Sequence, residues 1–128
     1  MSLLLDTHTL LWYVLKDPRL ADSARNAIDA EPGDVFASPA SLWEIAIKIS
    51  IGKLKLEEPF EAFWSEMFEK SGLKPLPITI RHTARVIELP HLHRDPFDRL
   101  LIAQGLTENL PIVSVDALFD SYGVRRIW

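Results

Sequence analysis

The sequence predicts an α/β domain built on a parallel sheet that helices cover on both faces. Short, wholly apolar runs alternate along the chain with longer helical stretches, and strands that are apolar throughout belong inside a sheet buried on both sides. The helix-rich remainder leaves room for about five short strands. With 128 residues, no internal repeat and no linker-like tract, residues 1–128 are expected to form a single domain.

Ser2–Leu5 reads as the first buried strand and Thr9–Leu15 as the helix after it. Asp17-Pro18 breaks the pattern, and Ala21–Ala30 follows as a second helix. Pro32-Gly33 marks a turn before a strand over Val35–Ala37. Ser38 then serves as N-cap and Pro39 as first residue of a helix running to Ile49. Pro59–Lys70 is amphipathic, with Phe60, Phe63, Trp64, Met67 and Phe68 at i, i+3, i+4, i+7 and i+8. Those aromatics are either core or a groove for a partner helix. Leu76–Ile78 is expected as a short strand, Ile80–Leu89 and Pro96–Thr107 as helices, and Ile112–Val115 and Val124–Ile127 as the last two strands.

A formal net charge of −4 argues against nucleic-acid binding by bulk charge. Contact with a polyanion would need a local patch, for which Arg81, His82, Arg85, His91, His93, Arg94 and Arg99 are candidates, or metal ions that convert carboxylates into phosphate binders. The absence of cysteine removes disulfides, thiolate zinc sites and thiol nucleophiles. No apolar run approaches the roughly 20 residues of a membrane span. Leu3–Leu5 is too short for a signal peptide and is stopped by Asp6, so a cytoplasmic protein is the simplest expectation.

Ligands of parallel α/β sheets bind outside the carboxyl ends of the strands. Asp6 stands at that end of the first strand, and Asp116 follows the Ile112–Val115 strand. If these strands are neighbours, their ends lie about 5 Å apart; otherwise each aspartate simply caps the next helix. Glu44 sits in a helix that is apolar almost all round, Leu42-Trp43-Glu44-Ile45-Ala46-Ile47. An ionised carboxylate there needs a cation, either a metal or Lys48 one turn on. In Asp95-Pro96-Phe97-Asp98-Arg99, Asp95 is a natural N-cap; Asp98 either completes a capping box or points to the crevice. A set of four carboxylates suits hard ions, Mg2+ or Mn2+, and two such ions about 4 Å apart can promote phosphodiester hydrolysis. Zinc would favour histidine and cysteine, and the four histidines show no ligand spacing.

Leu4-Leu5-Asp6-Thr7-His8, Ser41-Leu42-Trp43-Glu44, the run from Asp95 to Gln104 and Val113-Ser114-Val115-Asp116 together resemble PIN-domain proteins, in particular VapC-type toxins of bacterial toxin–antitoxin pairs. The resemblance covers nearly the whole chain and implies a three-layer α/β/α domain. It also implies an Mg2+- or Mn2+-dependent endoribonuclease, usually homodimeric, that cleaves RNA and is neutralised by a cognate antitoxin. The family's first three acids match Asp6, Glu44 and Asp98, and its more variable fourth matches Asp116; these four are the expected catalytic residues and metal ligands. Many relatives have threonine where this chain has Ser114-Val115 before the fourth acid. His8 and Asp95 resemble marks of one subgroup and carry no expected role. Arg99, with Arg94 and Arg85 behind it, is the expected RNA contact.

Two other enzyme or signalling classes fit the pattern less well. A phosphohydrolase forming an aspartyl-phosphate on Asp6 would need an acid two residues on, where His8 stands. A receiver domain would need an acceptor aspartate and a lysine at other strand ends. A non-catalytic binding module would retain four mutually repelling acids at a cost in stability.

Overall fold

The computed structural model describes residues 1–128 and contains five parallel strands in the order β3-β2-β1-β4-β5. These are β1 (Leu3–Leu5), β2 (Val35–Ala37), β3 (Leu73–Pro75), β4 (Ile112–Val113) and β5 (Arg126–Ile127). Between β1 and β2 lie helices α1 (Thr7–Val14) and α2 (Asp22–Asp29); α3 (Pro39–Ser50) and α4 (Phe60–Lys70) lead to β3. Helices α5 (Ile80–Glu88) and α6 (Pro96–Glu108) lead back to β4, and a 3-10 helix over Ala117–Tyr122 connects β4 to β5.

The strand order places a reversal at β1. The chain builds outward through β2 and β3, then returns to add β4 on the other side of β1. Because crossovers between parallel strands are right-handed, that reversal sends the later helices to the opposite face. The side chains divide accordingly. Leu3 and Leu5 pack with Leu10, Ala24, Ile28, Ile45, Phe63 and Trp64 from α1 to α4. Leu4, pointing the other way, packs with Ile102, Ala103, Ile112 and Phe119. All three leucines of β1 are wholly buried, as the uninterrupted apolar run predicts.

The aromatic stripe of α4 is core: Phe63 and Trp64 are buried, and Phe60, Met67 and Phe68 pack on the same cluster. Most boundaries fall within two residues of expectation, β5 being shorter at Arg126–Ile127, and three differences bear on the site and the sheet. Helix α1 starts at Thr7 because Asp6 caps it, Oδ1 accepting the Thr9 amide at 2.9 Å. Strand β4 ends at Val113, although the Ser114 amide still donates to the Ile127 carbonyl at 3.0 Å. Strand β3 lies at Leu73–Pro75 rather than Leu76–Ile78. The Leu76 amide donates to Ala37 at 2.9 Å, so the alternation turns positions 75 and 77 outward. Both are prolines, which have no amide hydrogen to offer and suit the outer edge of a sheet.

The largest correction concerns Arg99. Its side chain does not face solvent and is not paired with Asp95; the residue is only 8% exposed. Its guanidinium donates to the carbonyls of Pro90 at 2.9 Å, Val86 at 3.3 Å and Leu89 at 3.3 Å, and to the Tyr122 hydroxyl at 3.3 Å. These are the carbonyls freed as α5 ends and the chain turns towards α6. Tyr122 in turn donates to Pro90 O at 2.9 Å and accepts the amides of Leu92 and His93 at 3.0 and 2.7 Å. Arg99 and Tyr122 thus fix the segment from Leu89 to His93, and the expected RNA contact from Arg99 has no surface to act through. The proposed basic patch also disperses, since His82 is buried in the α5 capping box.

Arg99→Ala would leave the buried Leu89 carbonyl without its guanidinium partner, at about 1–3 kcal/mol for a group that water cannot reach. Thermal denaturation should show a loss of at least about 1 kcal/mol on that basis; an unchanged melting temperature would contradict this latch.

Candidate metal centre

The reversal at β1 creates a crevice between the carboxyl ends of β1 and β4, the general ligand position in such sheets. Asp6 enters it directly after β1, and Asp116 enters two residues after Ser114, the last residue to follow the sheet. Ser114 ties the two together: its hydroxyl donates to Asp6 Oδ2 at 2.6 Å and accepts the Asp116 amide at 3.0 Å. Asp116 also caps the 3-10 helix, Oδ1 accepting the Leu118 amide at 3.0 Å. Capping and a role in the crevice are therefore compatible for both aspartates, because each carboxylate oxygen has a second lone pair.

Glu44 reaches the same end of the sheet from α3. Ser38 and Pro39 start this helix as expected, the Ser38 hydroxyl accepting the Ala40 amide at 3.1 Å. A bond of 3.0 Å from Thr7 to Ser41 holds α3 against α1. Glu44 is 7% exposed, and its Oε2 pairs with Lys48 at 3.2 Å. Its other oxygen, Oε1, is buried and has no hydrogen-bond partner. An orphaned anionic oxygen is costly, and the Lys48 pair leaves it unanswered.

Asp98 completes the group from the first turn of α6. Asp95 caps this helix with Oδ1, accepting the amides of Phe97 at 2.8 Å and Asp98 at 3.2 Å. The capping-box alternative for Asp98 is not realised: the Asp95 amide donates instead to His93 Nδ1 at 3.1 Å. Burial, and then the charges of Asp95, Asp6, Glu44 and Asp116, push the Asp98 carboxyl up to about 8. Burial also raises Asp6, against the opposing bonds from Ser114 and Thr9. Asp98 thus feels the charge of each of the other three acids.

One member of the cluster had no signal in the sequence. His93 Nε2 lies 3.0 Å from Asp116 Oδ2 and 3.1 Å from Asp98 Oδ2, and the three groups' ligand atoms all fall within 4.8 Å of one another. His93 precedes Asp98 by five residues on a loop, where no helical or strand period relates them. Arg94 is exposed and lines, with Lys48, Lys53, Phe97 and Glu44, an open cavity of about 510 Å³ beside the acids. Arg85 lies elsewhere, on the outer face of α5 beside Glu88 at 3.8 Å. His8 is exposed and stacks near Trp12.

The family model of the PIN domain matches residues 3–124, all four acids included. This chain belongs to the PIN-domain family. The PIN domain is 38% identical over 73 residues to Ribonuclease VapC16 of Mycobacterium tuberculosis; that match spans 54% of this chain and 52% of the relative. The chain thus aligns with about half the length of that curated relative. Among solved structures, the PIN domain is similar to VapBC2 from Rickettsia felis bound to a DNA fragment from its promoter, with a TM-score of 0.73 at 19% identity over 100% of both chains. DNA-bound VapBC from Salmonella typhimurium superposes with a TM-score of 0.71 at 14% identity, covering 98% of this chain and 96% of that one. FitAcB from Neisseria gonorrhoeae gives 0.69 at 18%, covering 97% and 95%. At these identities the structures establish the PIN fold, including the parallel three-layer architecture.

The raised Asp98 carboxyl fixes a pH dependence. The folded PIN domain keeps a proton that the unfolded chain, with an ordinary aspartate near 4, has released. Metal-free stability from this group therefore falls as pH rises from about 4 to about 8. Asp98→Asn removes the repulsion, so the metal-free variant should melt a few degrees above wild type at pH 8. The gap should narrow towards pH 5 in thermal scans with chelator; a gap independent of pH would contradict the coupling.

Proposed function

We propose that this PIN domain is a metal-dependent endoribonuclease, the toxin of a type II toxin–antitoxin pair, using Mg2+ or Mn2+ held by Asp6, Glu44, Asp98 and Asp116. The observation that carries this reading is the gathering of four carboxylates at the sheet's switch point, Asp6 and Glu44 buried and Asp98 repelled by the other three, with the Glu44 Oε1 orphan among them. The donor set is all carboxylate oxygen, the chemistry that hard divalent ions select. When bound, such an ion would supply the positive charge that brings a phosphodiester to an acidic site and assists water to attack it.

The chain's own residues divide the remaining work. Asp6 is held at both oxygens, by Thr9 and Ser114. Lys48 balances one oxygen of Glu44 and leaves the other free to meet a cation. Asp98 must release its proton to ligate, so metal affinity should rise with pH towards about 8. Arg94 and Lys53, exposed and without an ion pair, are placed to meet phosphates of a strand leaving the site. Support for RNA as substrate and for an antitoxin partner comes from the 38% match to Ribonuclease VapC16 and from the VapBC complexes that share the fold. Homodimerisation and a cytoplasmic setting belong to the same reading; no helix is long and apolar enough to cross a membrane.

Incubation with total RNA should give cleavage that requires Mg2+ or Mn2+ and yields 5′-phosphate and 3′-hydroxyl ends. A single 2′-deoxy substitution at the cut should not prevent it, because water rather than the 2′-hydroxyl attacks. Asp6→Asn should slow cleavage by on the order of 100-fold or more, the scale for removing a group that stabilises transition-state charge. Products with 2′,3′-cyclic phosphates, or cleavage in chelator, would overturn the proposal.

A further inference from the structure

His93 Nε2 stands between Asp98 and Asp116, yet its ring is already committed on the opposite side. Nδ1 accepts the Asp95 backbone amide at 3.1 Å. A backbone amide can only donate, so Nδ1 must carry the lone pair and Nε2 the hydrogen. That hydrogen goes to one acid: Nε2 hydrogen-bonds Asp116 Oδ2 at 3.0 Å, while Asp98 Oδ2 stands beside it at 3.1 Å. In this form Nε2 has no lone pair to give a metal ion.

The ring is also held mechanically. Its backbone amide donates to Tyr122 Oη at 2.7 Å, and its face meets the edge of buried Phe119 with centroids 6.0 Å apart. Tyr122 is fixed in turn by Pro90 O and Arg99. A chain of contacts thus runs from the buried guanidinium of Arg99, through Tyr122 and the loop, to the two carboxylates farthest apart in sequence from Asp6.

We propose that His93 is a positioning residue of the metal centre: locked as the Nε2–H tautomer by the Asp95 amide, it orients Asp116 towards the ion by hydrogen-bond donation, with Asp98 packed beside the same N–H, and is not itself a ligand. Asp95 thereby acquires a role beyond capping, because the same residue caps α6 with its side chain and sets the imidazole tautomer with its amide. The donor set remains carboxylate, which keeps the centre hard and disfavours zinc. This inference rests on the divalent-metal reading of the four acids.

The test uses the full chain. Long-range 1H–15N correlation spectra of the 15N-labelled protein should show His93 with unprotonated Nδ1 and protonated Nε2, both without metal and after titration with Mg2+. Calorimetry with Mn2+ should show His93→Ala weakening binding by about 10- to 100-fold, the usual effect of losing a group that orients a ligand. His93→Gln, whose amide can place an N–H near the Nε2 position, should recover most of the affinity. Migration of the proton to Nδ1 on adding Mg2+ would make His93 a ligand and overturn the inference. So would His93→Ala binding Mn2+ as tightly as wild type. Failure of wild type itself to bind Mn2+ would instead remove the metal reading and the inference together. Should His93→Ala not fold, the tautomer in wild type and the His93→Gln affinity still decide the matter.

Discussion

Strand β1 lies between two parallel partners, and this one constraint determines where every acid goes. Leu3, Leu4 and Leu5 leave no polar atom for water and divide the core between two faces. Pairing with β2 on one side and β4 on the other forces the helices of the two halves onto opposite faces. What remains open is the carboxyl end of β1, and Asp6 is the residue the chain must place there. Asp116 follows because β4 is the neighbour, and Glu44 because α3 departs from β2. The charge cluster is thus a product of topology, held against its own repulsion by a frame whose stability comes from apolar burial.

That repulsion has a local answer as well as a global one. Three of the acids are steadied by a local partner: Asp6 by Ser114 and Thr9, Asp116 by His93 and Leu118, Glu44 by Lys48. Asp98 has the least help, and its carboxyl is pushed up to about 8. It also stands at the positive end of α6, so the helix dipole opposes the repulsion without cancelling it.

Much of this was readable from the residues alone. The uniform apolarity of Leu3-Leu4-Leu5 announced a central parallel strand, and Ser38-Pro39 and Asp95-Pro96 located two helix starts to the residue. Asp6, Asp116 and Glu44 stood out because strand ends and an apolar helix are unusual places for charge, whereas Asp98, in the first turn of a helix, was singled out by the family resemblance. Arg99 was misread because adjacency to Asp98 in sequence says nothing of direction; on α6 the next residue turns about 100° away, into the carbonyls that end α5. His93 was missed for a related reason, since its partners are assembled by a loop that Tyr122 shapes from 29 residues away. The β3 register was displaced by three residues because Leu76 and Ile78 look more strand-like than Lys74-Pro75, and only pairing with Val35–Ala37 distinguishes them.

The prolines of β3 have a bearing on how copies of this chain can meet. Pro75 and Pro77 take the two outward-facing positions where a further strand would seek amide donors, and at the other margin β5 is only two residues long. Neither margin offers the ladder needed for a sheet to continue from one molecule into the next. Any self-association would therefore rely on helical surfaces, which bury side chains rather than backbone. An assembly of that kind is specified by shape and charge, and stays sensitive to single substitutions on the faces that touch.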